Sequence, residues 1–269
     1  MSRIARTFSA LRKKKEKALI VFITAGDPSL SVSERLIPCF EKEGVDIIEL
    51  GIPFSDPVAD GPVIQASSQR ALARGTTLKK ILGMAKRARK RTQVPLVLMG
   101  YLNPILRYGL RRFASQAAAA GIDGLIVPDL PPEEAKEIAA ELRRAGMDLI
   151  FLLAPTSSPA RRRLVAKASR GFVYYVSITG VTGVRKKLPK EIRRQLLEAK
   201  RQARIPVCVG FGISTPRQAK EVSRAADGVI VGSAIVKQIT AHSGQAPATL
   251  ARRLIRPFAR ALGKGRAHG

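Results

Sequence analysis

Eight times along this chain, a run of aliphatic and β-branched residues gives way to a turn rich in Gly, Pro, Asp or Ser and then to an amphipathic helical stretch. The runs are LIVFITAG (19–26), VDIIELG (45–51), PLVLMGY (95–101), GLIVPD (124–129), DLIFLLAP (148–155), FVYYVSI (172–178), IPVCVGFG (205–212) and GVIVGSA (228–234). Strands separated by helices need crossover connections, so they run parallel, and a strand buried on both faces reads as an almost unbroken apolar run. Eight such units in 269 residues match one (β/α)8 barrel of the TIM type, which takes about 250 residues. No Gly/Ser-rich or Pro-rich linker divides the chain, so residues 1–269 are read as a single barrel domain. The competing architecture is an open doubly wound sheet, but the first strand-to-helix turn, AGDPSL, lacks the GxGxxG of a dinucleotide site. Ile4, Phe8 and Leu11 fall at i, i+4 and i+7 and predict a short extra helix over 2–13. The polar tail, about 263–269, is expected to fray.

Charge is the unusual property: 48 Lys+Arg against 20 Asp+Glu give a formal +28. Such an excess attracts anions without choosing among them. The basic residues fall mainly in helical stretches such as KKILGMAKRARKR and EIRRQLLEAKRQAR, where a solvated face accounts for them. There is no Trp, and the four Tyr lie outside the basic runs, so the stacking platforms of single-strand binders are not visible; this speaks against nucleic acid.

Cys39 and Cys208 show neither CxxC nor a nearby His, which excludes the usual zinc spacings and a disulfide framework; both are read as small core residues. His242 and His268 sit in the C-terminal region, so no metal site is expected and acid–base chemistry falls to carboxylates, Tyr or Lys. No apolar run reaches the roughly 18 to 20 residues that cross a bilayer. The basic opening runs through ALIVFITAG straight into a GDP turn, which reads as a first strand and not as a signal peptide, and a cytoplasmic setting is expected.

Active sites of such barrels are built where strands end, so polar residues at those ends are the candidates. Alternation in VDIIELG places Val45, Ile47 and Glu49 on one face and Asp46, Ile48 and Leu50 on the other. If Glu49 faces the barrel interior, desolvation raises its pKa toward a value useful near neutrality; facing outward, it would simply pair with Arg or Lys. The loop GIPFSDPVADGP follows, with three prolines, two glycines, Asp56 and Asp60. Asp60 precedes Gly61-Pro62 and reads equally as a helix N-cap or a catalytic carboxylate. Asp129 carries the same ambiguity before PPEEAKEI. Three glycine-bearing turns, TGVTG (179–183), GFGIS (210–214) and VGSA (231–234), close late strands and offer backbone N–H groups to a phosphate.

The strings FITAGDP, IELGIPFSDPVADGPVIQ, GYLNPI, VPDLPPEE, YYVSITGVTG, VGFGIS and DGVIVGSAIV, in this order, closely resemble the tryptophan synthase alpha subunit family over about residues 2–262. The resemblance implies a lyase that cleaves indole-3-glycerol phosphate to indole and glyceraldehyde 3-phosphate by a retro-aldol reaction in tryptophan biosynthesis. Glu49 would do the proton work, and Asp60 would accept the indole N–H and stabilise the developing positive charge. Phe22, Tyr101, Tyr174 and Phe211 would surround the ring, with Tyr174 preferred over Tyr175 because its parity leads into the VTG turn. Gly183, Gly212, Gly232 and Ser233 would hold the phosphate, and Thr182 would partner Asp60 when the loop closes. Pro53 and Asp56 would meet a beta subunit in an alpha2beta2 heterotetramer, with pyridoxal phosphate in beta and no cofactor in this chain.

Two departures stand out: Val21 replaces a Pro common in relatives, and +28 contrasts with a family that is usually acidic or near neutral. The alternatives are a catalytically idle basic barrel serving as scaffold or polyanion binder, and a sister phosphate-binding barrel of the same pathway.

Overall fold

Aliphatic runs short enough to be crossed in a few residues become the staves of a closed sheet. The computed structural model describes residues 1–176, 190–210 and 212–264. Its strands are β1 (Ala18–Thr24), β2 (Ile47–Gly51), β3 (Leu96–Met99), β4 (Gly124–Ile126), β5 (Asp148–Ile150), β6 (Leu152–Leu153), β7 (Val173–Val176), β8 (Val207–Gly210) and β9 (Gly228–Val231). Every pairing is parallel, in the order β5-β4-β3-β2-β1-β9-β8-β7-β6. The two ends of that order, β5 and β6, are halves of one extended segment parted only by Phe151. Tyr174 N–H donates to Phe151 C=O at 3.1 Å, so the segment pairs on both sides and the sheet closes on itself. The fold is therefore the (β/α)8 barrel expected, with the fifth predicted strand broken in two and no strand edge left open.

Alternation sorts the side chains into two cores. Ile20 and Phe22, Ile47, Val97 and Met99, Ile126, Ile150, Tyr174, Cys208 and Ile230 fill the barrel. Leu19, Val21, Ile23, Ile48, Leu50, Leu96 and Leu98 pack outward against the helices. Val21 is fully buried in that outer layer, a place where a β-branched residue in a parallel strand fits. Val45 is a correction to the alternation: β2 begins only at Ile47, and Val45 turns into the outer core.

The first helix, Arg3–Lys14, plugs the N-terminal end of the barrel with Ile4, Phe8 and Leu11. Phe8 meets Phe172 with ring centroids 6.0 Å apart. Ser2 caps the helix by accepting from Ala5 N–H at 3.3 Å, while its hydroxyl donates to Asp148 Oδ2 at 2.6 Å. Gly263 and Lys264, assigned from sequence to a fraying tail, are docked: Lys264 Nζ lies 2.5 Å from Asp46 Oδ2 and its side chain is 6% exposed.

A set of aspartates that sequence reading did not single out stitches this same end. Asp46 N–H donates to Leu19 C=O at 2.9 Å while its carboxylate accepts Leu19 N–H at 2.7 Å. Asp123 does the same to Leu96, at 2.8 and 2.9 Å. Asp227 does so to Val207, at 2.9 and 3.0 Å. Each Asp precedes a strand by one residue and satisfies an N–H at the start of the strand beside it. Asp123 is the most committed, since it also takes Arg89 Nη2 at 2.9 Å and Arg3 Nη1 at 2.9 Å. Asp123→Ala leaves the Arg89 guanidinium without its carboxylate in a half-dry site, so urea unfolding should show a loss of about 3 kcal/mol. Turnover per folded molecule should be unchanged, because the site lies at the other end.

Candidate active site

At the C-terminal ends of the strands lies a cavity of about 220 Å³, walled by Phe22, Met99, Tyr174 and Ile230, by Asp60–Ile64, and by Gly212, Ile213, Gly232 and Ser233. Its lining combines a carboxylate on one loop, glycine-rich turns on others and apolar side chains from the strands.

Glu49 is the deepest of the polar groups near it. In register between Phe22 and Val97, it shares the inward face of β2 with Ile47 and is 0% exposed. Neither carboxyl oxygen has a hydrogen-bond partner among the described residues. Burial alone raises its pKa to about 8, so the carboxyl is neutral at pH 7. Of the two orientations left open by the sequence, the structure adopts the inward one. The residue two further along that face is Gly51, and a Cβ there would fall 2.4 Å from Phe22 Cζ. The Phe22 ring thus lies over the strand just beyond Glu49, between the carboxyl and the open end of the barrel. Glu49 is consequently absent from the cavity wall.

Asp60 lines the cavity at half burial. Its pKa is raised by burial, against which a hydrogen bond with Tyr101 acts. It is not the cap of the following helix: that helix, Pro62–Ala73, has Gly61 as N-cap, with Pro62 in its first turn and no side-chain cap. Tyr101 stands behind the loop and not on the cavity wall. Its hydroxyl accepts Ala59 N–H at 2.9 Å and its ring meets Phe54 at 5.2 Å between centroids. Burial first, and the nearby Asp60, push its phenol well above the usual tyrosine range, so it serves as a neutral brace. Asp129 resolves otherwise than expected: the helix after it starts at Lys136, and its carboxylate accepts Leu102 N–H at 3.0 Å. It therefore holds the start of helix Leu102–Tyr108.

Tyr174 and Tyr175 diverge as adjacent strand residues must. Tyr174 points into the barrel and lines the cavity, while Tyr175 lies in the outer core and bonds Gln195 Oε1 at 3.1 Å. Gly210 makes room for the inner ring, since a Cβ there would fall 2.3 Å from Tyr174 Oη. The burial of Tyr174 raises its pKa well above the ordinary value, so it too stays protonated.

On the loops after β8 and β9, Gly212, at φ +77, and Gly232 and Ser233 reach the cavity together. Gly232 is the N-cap of helix Ser233–Ala241 and supplies no side chain, so the first N–H groups of that helix are left for an anion. Phe211, Thr182 and Gly183 lie outside the described residues. Pro53 is buried and Asp56 exposed; they flank a separate groove with Phe54, Asn103, Leu106 and Tyr108. Among the described residues no cluster of His, Cys, Asp or Glu could hold a metal ion, and no helix is long and apolar enough to cross a membrane. Met99, Ile230, Val63 and Ile64 line the cavity without having been singled out. For Met99 and Ile230 the signal was present, since each falls on the inward parity of its run.

A parallel (β/α)8 barrel with a neutral, desolvated carboxyl beneath a cavity at its strand ends belongs to the class of barrel enzymes that move protons on an apolar substrate with an anionic end. The chain belongs to the tryptophan synthase alpha chain family, whose model matches residues 8–261. It is 60% identical over 237 residues to the tryptophan synthase alpha chain of Geobacter sulfurreducens, covering 88% of this chain and 90% of that one. The relative from Dehalococcoides mccartyi is 48% identical over 255 residues, 94% of this chain and 98% of the other. The crystal structure of tryptophan synthase subunit alpha from Legionella pneumophila str. Paris superposes with a TM-score of 0.90 at 40% identity, covering 98% of this chain and 99% of that one. Tryptophan synthase from M. tuberculosis in its aminoacrylate-bound form superposes at 0.87 and 36% identity, covering 97% and 100%.

The Glu49 pKa carries a sign for stability. A folded-state value of about 8 lies above the unfolded value, about 4.3 for a free Glu. The folded chain then holds a proton that the unfolded chain releases, so stability is lost as pH rises from about 4 through about 8. Glu49→Gln removes that ionisation while keeping size and shape. Denaturant unfolding of the variant should match or exceed the native chain at pH 6, and exceed it by a few kcal/mol at pH 9.

Proposed function

We propose that this chain cleaves indole-3-glycerol phosphate to indole and glyceraldehyde 3-phosphate, acting as a carbon–carbon lyase in tryptophan biosynthesis. The observation that carries the reading is the neutral Glu49 carboxyl under the cavity, without a hydrogen-bond partner among the described residues, with Asp60, Gly212, Gly232 and Ser233 all lining that cavity.

Indole is a poor leaving group until its C3 is protonated. The neutral Glu49 delivers that proton, and the ring becomes an indoleninium cation whose N–H faces the Asp60 carboxylate. The Glu49 carboxylate left behind then takes the proton of the C3′ hydroxyl. As the O–H electrons form the aldehyde C=O, the C3–C3′ bond breaks and its electron pair returns to the ring. The carboxyl ends protonated, as it began, and no external proton is consumed. Phe22 must swing from its place over Gly51 for the ring to reach Glu49, and with Met99, Tyr174 and Ile230 it then keeps water from the cation. Phe211 joins this surround in the proposal, Tyr101 braces the Asp60 loop from behind, and Thr182 partners Asp60. The phosphate is held by backbone N–H groups at Gly183, Gly212, Gly232 and Ser233 with the Ser233 hydroxyl.

The family name implies a beta chain as partner. We infer an alpha2beta2 heterotetramer in which the groove beside Pro53 and Asp56 faces beta, which carries the pyridoxal phosphate and consumes the indole. A cytoplasmic setting fits two free cysteines and a phosphorylated small substrate.

Indole release from indole-3-glycerol phosphate tests the reading. Glu49→Gln should lower turnover at least about 1,000-fold and Asp60→Asn about 100-fold, both with phosphate affinity kept. The rate should also fall as pH rises through about 8, where Glu49 loses its proton. Near-native turnover in Glu49→Gln would reject the assignment.

A further inference from the structure

Two helices start at the cavity, on the loops that follow β2 and β9. Helix Pro62–Ala73 begins two residues after Asp60, and helix Ser233–Ala241 begins at Ser233 itself. They pack against each other and against β1, the strand that carries Phe22. Apolar packing alone lets neighbouring helices slide by small amounts, which is how shear motions of packed elements arise. A directional polar tie between them removes that freedom.

Arg70 supplies one. Its Nε donates to Asp27 Oδ1 at 3.0 Å and its Nη2 to Asp27 Oδ2 at 2.7 Å, a bidentate fork on a side chain only 2% exposed. The same Nη2 donates to Thr240 Oγ1 at 2.9 Å. Asp27 lies in the turn after β1, Arg70 in the first helix and Thr240 in the second, so one guanidinium joins three elements that each reach the cavity. Among the described residues, Arg70 to Thr240 is the one side-chain hydrogen bond between the two helices. Thr24 and Ser67 hydroxyls, 2.6 Å apart in the core, fasten β1 to the first helix again. A buried carboxylate tolerates few partners and fixed geometry, and an Arg fork meets it in one plane.

We propose that Arg70 is a positioning residue: through Asp27 and Thr240 it holds Asp60 at a set distance from Gly232 and Ser233. A substrate gripped at its ring N–H by the first and at its phosphate by the others is sensitive to that spacing. A shift on the order of 1 Å is enough to lose about 100-fold in rate. The inference rests on the lyase reading for its substrate, and the clamp itself rests on the contacts above.

The test compares Arg70→Gln and Thr240→Val with Arg89→Gln, which breaks another Arg–Asp pair at the opposite end of the barrel. KM and kcat for indole-3-glycerol phosphate are measured beside calorimetric Kd for glycerol 3-phosphate, at a temperature where all variants are folded. Arg70→Gln should raise KM and Kd about tenfold and lower kcat, with Arg70→Lys falling between it and the native chain. Thr240→Val should shift both constants about threefold, and serves alone if Arg70→Gln does not fold. Arg89→Gln should lower Tm and leave KM and Kd unchanged. Native KM and Kd in the clamp variants, or an equal shift in Arg89→Gln, would overturn the proposal. If the native chain bound glycerol 3-phosphate in a clamp-dependent way yet released no indole, the lyase reading would fail and the clamp would stand.

Discussion

A carboxyl shut in a dry place must keep its proton, and the rest of this structure depends on that condition at Glu49, which has no hydrogen-bond partner among the described residues. Closing the sheet through the broken fifth segment removes the edge by which water and other chains would enter. The first helix seals one end of the barrel with Ile4, Phe8 and Leu11, and Phe22 covers the carboxyl from the other. Asp60, on the loop that follows β2 in a half-buried site with Tyr101 beside it, meets different surroundings. Two carboxyls near one cavity are thereby set apart by environment, and in the proposed reaction one serves as acid and the other as counter-charge.

The barrel divides its acids by end. Asp46, Asp123 and Asp227 each accept an N–H at the start of a neighbouring strand, and their charges are spent on backbone, Arg89, Lys200 and Lys264. Glu49 and Asp60 belong to the opposite end and face the cavity side. The +28 charge changes none of this, because the cations that touch the described acids do so at the stabilising end or on the helices. The clamp around Asp27 lies at the chemical end, and it is there that we propose an ion pair bears on geometry as well as stability.

Periodicity made most of the fold legible. Unbroken aliphatic runs fixed the parallel strands, and the i, i+4, i+7 spacing fixed the first helix within a residue. Local pattern could not show the break at Phe151, because DLIFLLAP is a uniform apolar run and the interruption reflects pairing with β4 on one side and β7 on the other. Nor could it show that Val45 falls outside the alternation, since a strand's first paired residue is set by its neighbour. The parity of Glu49 was readable, but inward against outward was not, because both faces of VDIIELG are apolar. Asp60 and Asp129 were ambiguous for the same reason: a cap and a catalytic group share residue type and turn position. The stitching aspartates repeat a simple VD, ID, AD signature before strands, which is visible only once those strands are known to be neighbours.

The most direct measurement is the protonation state of Glu49 itself, read as the carboxyl C=O stretch in infrared difference spectra of the native chain against Glu49→Gln across pH 4 to 10. A protonated-acid band that persists through pH 7 and disappears around pH 8 is the result expected of a carboxyl raised by burial to about 8. A band lost near pH 4.5, as for a carboxyl in water, would contradict the account at its root.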